Sequence, residues 1–66
     1  MDSGLRKRDM RTIFMVGDSV KAKRVNGNLE AGTVCAVTEF LVIVQFQHSR
    51  ESYILHDYEI GQVKFA

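Results

Sequence analysis

From Phe14 to the closing residues, apolar side chains recur at every second position or in short unbroken runs, and the spacing of an amphipathic helix is hard to find. That pattern confines the chain to strands. Gly17-Asp18 opens a first segment, Ser19–Val25, with Val20 and Ala22 on one face and Ser19, Lys21 and Lys23 on the other. Asn26-Gly27-Asn28 follows, residues that accept positive φ, and is the strongest short hairpin signal in the chain. Leu29–Val37, rich in β-branched residues, is the second strand, and Gly32 inside it marks a bulge or a sharp coil. After a turn at Thr38-Glu39 comes Leu41–Phe46, where Leu41, Val42, Ile43 and Val44 ask for cover on both faces and predict the central strand. Gln47–Arg50 is a hairpin loop. Glu51–Leu55 is a fourth strand, with Glu51, Tyr53 and Leu55 on one face and Ser52 and Ile54 on the other. His56–Glu59 is one helical turn with Asp57 favourable near its start, and Gln62–Phe65 closes the chain as a fifth strand. Five short strands with tight turns predict an all-β fold, a small and strongly bent barrel whose closure removes exposed edges.

Size limits what such a barrel can do. Sixty-six residues allow one small domain, which buries only about 60 per cent of its unfolded surface. Cys35 is the single cysteine, so no internal disulfide is available, and with His48 and His56 it makes no zinc spacing. A lone thiol, no secretory signal pattern and no long apolar run suit a reducing intracellular compartment and no membrane span. The formal charge of +1 hides an asymmetry. Residues 1–12 carry Arg6, Lys7, Arg8 and Arg11 against Asp2 and Asp9, without apolar periodicity. They read as a flexible basic tail ahead of a barrel spanning 13–66. The tail is either a solvated leader or an arm that meets phosphate or an acidic partner.

Enzymatic readings find little support. Gly17-Asp18-Ser19 resembles a hydrolase nucleophile block, but such a serine needs a base and an oxyanion hole on a large α/β sheet, so Asp18 reads instead as a turn residue entering a strand. Cys35, His48 and His56 lack the paired spacing of metal ligands, and Cys35 reads as core or near-core. Asp57 and Glu59 point to different faces of one helical turn and read as solvated or capping groups. Lys21, Lys23, Arg24 and Arg50 are either a charged edge that discourages strand addition or a small anion-contacting surface. No cofactor is called for, and the chain is read as a non-enzyme.

The run Phe14-Met15-Val16-Gly17-Asp18-Ser19-Val20-Lys21-Ala22-Lys23, then Gly27, Gly32-Thr33-Val34, Val42–Phe46 and Tyr58-Glu59-Ile60 resembles a Tudor domain, an SH3-like barrel, over about residues 14–60. Members that read methylated lysine or arginine do so with an aromatic cage, through cation–π attraction. The resemblance implies that the first cage position falls on Arg24, the second on Glu30, the third on Phe46, and a further one near His48 or Arg50, with Tyr53 able to contribute. Only Phe46 among the mapped cage positions is aromatic. A degenerate cage follows, in which Arg24 repels a methylated cation and pairs with Glu30.

The expected role is a non-catalytic binding module of a nuclear, chromatin-linked protein. It docks a peptide, a histone tail for example, around Arg24, Glu30, Phe46, His48, Arg50 and Tyr53. Two alternatives stand beside it. One is a methylated-histone reader with an atypical cage. The other is a DNA- or RNA-binding barrel, similar to the KOW type, that uses Arg6, Lys7, Arg8, Arg11, Lys21, Lys23 and Arg24; cytoplasm is the alternative setting.

Overall fold

The computed structural model describes residues 9–66. The strands are β1 (Ser19–Lys23), β2 (Leu29–Val37), β3 (Leu41–Gln45), β4 (Arg50–Ile54) and β5 (Val63–Phe65), with a helix α1 (Leu55–Glu59) between the last two and a 3-10 turn at Met10–Thr12. All pairings are antiparallel, in the order β4-β3-β2-β1-β5. The result is the expected small, strongly bent all-β structure: a five-stranded sheet curled into a half-barrel with one short helix. Alternation places the core as read from the sequence. Val20 and Ala22 of β1 and Tyr53 of β4 turn inward, and Val34, Val42, Val44, Phe46 and Val63 join them.

Closure is the first expectation to need correction. β4 and β5 are the two edges and do not pair with each other. β5 is only three residues long, and its pairing partner is β1. α1 packs against both edge strands in place of a ladder. The central strand is also β2 rather than β3. Nine residues give β2 two usable halves, Leu29–Thr33 against β1 and Thr33–Val37 against β3. β3 lies one place from the edge, with Val42 and Val44 buried and Leu41 and Ile43 half-buried on its outer face.

The bend of β2 has two local causes. Gly32 lies where the sheet folds onto itself: a Cβ there would meet Val44 Cγ1 at 2.5 Å and the Gln45 carbonyl oxygen at 2.9 Å, so no larger residue fits without displacement. The register shift itself comes three residues later, at Cys35, between Val34 and Ala36. That bulge leaves the Cys35 thiol exposed, which corrects its core assignment. The β1–β2 turn is as expected, with Gly27 at φ +88° and the Asn26 side chain accepting from the Asn28 N–H at 2.9 Å. Asp18 is a turn residue entering β1, its carboxylate accepting from the Met15 N–H at 2.8 Å.

The boundary between tail and barrel lies further toward the N-terminus than 12/13. Met10 is fully buried, and its N–H donates to the Glu39 carbonyl at 3.0 Å, tying the first turn to the β2–β3 hairpin. Asp9 caps that turn through the Arg11 N–H at 2.9 Å, and Thr12 adds a hydroxyl bond to the Asp9 carbonyl at 2.7 Å. Residues 9–12 therefore belong to the packed body; the remainder of the expected tail lies outside the described residues. Met10 looked isolated in sequence because its apolar neighbours come from other strands. Phe14 completes this end, with its ring 5.4 Å from that of Tyr58 on α1 and 4.9 Å from that of Phe65 on β5.

Burial of Met10 has a measurable consequence. Met10→Ala should cost about 2–5 kcal/mol in urea unfolding, through lost transfer energy and the cavity left behind. Met15→Ala, at a side chain 72% exposed, should stay within about 0.5 kcal/mol. Equal effects would show that the first turn is not part of the cooperative unit.

Candidate functional site

The alternation of β1 puts Lys23 outward, and the next residue, Arg24, turns inward at the end of the half-barrel formed by the β1–β2 and β3–β4 turns. Its backbone N–H is fixed by the Asn28 carbonyl at 2.8 Å, so the hairpin turn itself aims the side chain. The guanidinium then uses every side it has. Nε donates to Glu51 Oε2, Nη1 to Glu30 Oε1 at 3.1 Å, and Nη2 to Ser49 Oγ at 2.5 Å. The guanidinium carbon sits 4.3 Å from the centre of the Phe46 ring, a cation–π stack. The hydrogen bond that Arg24 donates to Glu51 raises the Arg24 pKa above its ordinary value, outweighing desolvation, so the charge is permanent. Arg24 and Glu51 side chains are 19% and 17% exposed, whereas Glu30 is 42% exposed, which makes Glu51 the principal partner.

The expected pairing of Arg24 with Glu30 is present, but it is the lesser half of the cluster. Ser49 and Glu51 were missed. Glu51 was legible, since it shares a face with Tyr53; Ser49 sits in the β3–β4 turn and carries no such signal. Phe46 is only 3% exposed beneath the guanidinium. Tyr53 is 5% exposed, and its hydroxyl donates to the Lys23 carbonyl at 2.9 Å, with Glu51 Oε1 at 3.4 Å. Burial, aided by the Glu51 charge, pushes the Tyr53 pKa up from 10.0 to about 12. Both rings are therefore floor and wall of a site already filled.

The remaining expected residues separate from this cluster. His48 is exposed at the tip of the β3–β4 turn. Arg50 faces outward on β4, its Nε donating to Gln45 Oε1 at 2.7 Å. Lys21 and Lys23 also face outward, so Arg24 does not extend their surface. Arg11 pairs with Asp9 through two nitrogens, Nη2 to Oδ2 at 2.6 Å and Nε to Oδ1 at 3.0 Å, and holds the Asp9 carboxyl below its usual range. Arg6, Lys7 and Arg8 lie outside the described residues. One continuous positive surface from Lys21 through Arg24 to Arg11 is thus broken at Arg24, which the carboxylates draw inside.

Beside the Arg24 cluster an open groove of about 320 Å³ runs between the β1–β2 turn and β4, with Lys23, Val25, Ser52 and Tyr53 among its lining. Its β4 wall is a free edge. The Phe46 N–H donates to the Ser49 carbonyl at 2.7 Å, so antiparallel alternation makes Val44–Glu51 and Val42–Tyr53 the hydrogen-bonded pairs. Ser52, opposite Ile43 in a non-bonded pair, therefore points its N–H and carbonyl away from β3. The Ile54 N–H points the same way and is taken by the Asp57 carboxylate at 2.8 Å. Asp57 is thus a capping group, as its position in sequence suggested.

Two measurements check this site. Below pH 10 Tyr53 should add nothing to the pH dependence of stability, because folded and unfolded chains both keep its proton. Between pH 10 and 12 the unfolded chain releases that proton first, so stability should fall by about 2–3 kcal/mol. Tyr53→Phe should remove that part of the alkaline slope. Separately, Arg24→Met should lower the urea midpoint more than Glu30→Gln, because it strands the more enclosed Glu51 without a partner.

Comparison of the chain with protein-family models, with curated proteins and with solved structures returned no match, so its own geometry carries the functional reading.

Proposed function

We propose that the chain is a non-catalytic binding module, in a nuclear and chromatin-linked setting, that docks an extended peptide without reading methyl marks. The supporting observation is the juxtaposition of a free strand edge at Ser52 with a cation–π seat that Arg24 already occupies. The peptide adds to β4 as a further strand, in the groove that Val25 and Tyr53 line. Main-chain hydrogen bonds to Ser52 supply affinity, and alternate side chains reach Val25, which is 92% exposed. Such a small surface supports roughly micromolar or weaker binding.

The likeness to a Tudor domain supports the class of module, and the self-filled seat removes the methyl preference that class often carries. A methylated cation reaches Phe46 only after Arg24 leaves Glu51, Glu30 and Ser49 together. That displacement would leave two carboxylates without their counter-ion, which a methylammonium, with fewer or no N–H donors, replaces poorly.

Amide shift mapping with histone-tail peptides, unmodified and carrying di- or trimethyl-lysine or dimethyl-arginine, tests the reading. Shifts should centre on Ser52 and be the same for modified and unmodified peptides. Methyl-dependent shifts around Phe46 would overturn it. Ser52→Pro should keep the fold, since that N–H serves no partner within the sheet and edge positions accept proline, and should abolish peptide binding.

A further inference from the structure

The strands sort their charges by face. Lys21 and Lys23 on β1, Arg50 on β4 and Lys64 on β5 all point outward; Glu30 and Glu51, the carboxylates of β2 and β4, pair with the buried Ala22 and Val44 and point inward to Arg24. Among the described residues the strands therefore present no Asp or Glu on the outer face. Lys21 stands directly across from Lys64, a cross-strand like-charge pair that works against folding. No ion pair relieves Lys21, Lys23 or Lys64 among the described residues. Lys21 and Lys23 are two positions apart on one strand, about 7 Å, a spacing suited to successive phosphates rather than to one small anion.

Neutral hydrogen-bonding groups form a row beside these cations, while Ala31 and Leu29 stand directly across from Lys21 and Lys23. Ser19, Thr33 and Gln45 are in register across β1, β2 and β3, and Arg50 follows on β4. An open groove of about 350 Å³ has Ser19, Ala31, Thr33 and Gln45 of this face in its lining, and none of the four cations. Lysine with hydroxyls and side-chain amides is the set that meets phosphate and sugar oxygens in nucleic-acid backbones. The strands present no exposed ring between the lysines: Phe46 and Tyr53 are inside, Phe14, Tyr58 and Phe65 pack together at the helix end, and the exposed Phe40 lies off the strands in the β2–β3 turn. Without rings on which bases stack, unpaired strands gain nothing from it beyond charge.

We infer that this outer face is a sequence-independent contact surface for the backbone of duplex nucleic acid, centred on Lys21, Lys23 and Lys64. Lys23 also borders the Ser52 groove, whereas Lys21 and Lys64 lie outside it, so the inference stands independently of the peptide reading. Each lysine neutralises one phosphate and releases its counter-ion, and the Ser19 and Thr33 hydroxyls set the register of the backbone, the Gln45 amide being held by the Phe46 and Ser49 carbonyls.

The test is fluorescence anisotropy of the full chain with a mixed-sequence 20-bp DNA duplex across about 50–200 mM salt. The lysines should account for about 2.7 of the slope of log K against log salt, and a Lys21→Gln, Lys23→Gln, Lys64→Gln triple variant should lose that amount, with each single change losing about 0.9. Changing the base sequence of the duplex should leave affinity unaltered. Lys64→Gln should raise the thermal midpoint by relieving Lys21 while it weakens DNA binding, so the loss of binding cannot come from unfolding. An unchanged salt slope in the triple variant would overturn the inference. So would loss of binding on removal of residues 1–8 with the triple variant unaffected, or binding to phosphatidylserine vesicles with no binding to the duplex.

Discussion

A sheet of five short strands has two open ends, and each must be stopped before the interior can stay dry. Different chemistry does this at the two ends. Near the β2–β3 hairpin the stop is apolar: Met10 folds back from the first turn and Phe14 gathers Tyr58 and Phe65 around it. At the opposite hairpins the stop is ionic, a guanidinium held over Phe46 by two carboxylates and a hydroxyl. An arginine is suited to that place because its flat face stacks on the ring while its edge satisfies three acceptors at once. The rest of the structure follows: Tyr53 is enclosed under the Glu51 side, Lys23 is held by its carbonyl, and the outer face is left to the remaining cations.

Those two stops also explain what was and was not legible in the sequence. Strand faces were legible, because alternation is local: Val20 and Ala22 opposite Lys21 and Lys23, and Glu51 together with Tyr53. The β1–β2 turn was legible for the same reason, since Asn26-Gly27-Asn28 states its own geometry. Met10 was not, since a single apolar residue among polar neighbours shows its burial only when distant strands assemble around it. β3 read as central because four consecutive apolar residues suggest two covered faces, yet the length of β2 decided the order. Cys35 was misplaced by one bulge, which displaces a residue from the alternation that otherwise assigns it.

The site was half legible. Arg24 and Glu30, on either side of the β1–β2 turn, were enough to foresee an ion pair there. What pattern could not supply was the competition between two carboxylates 21 positions apart in sequence, which burial decides in favour of Glu51. Lys64 escaped attention in the same way. Only the register of β5 on β1 brings it beside Lys21.

The Asp57 cap sets a length limit. By taking the Ile54 N–H, it closes the downstream part of the β4 edge just where a long incoming chain would continue to zip. The upstream part ends at the Gln47-His48 turn. The accessible stretch is thus bounded at both ends within one strand, so a guest finds only a short ladder. Copies of this chain cannot grow edge on edge into an extended ribbon without first unseating the helix. A strand edge that invites partners is thereby kept from becoming a template for fibres.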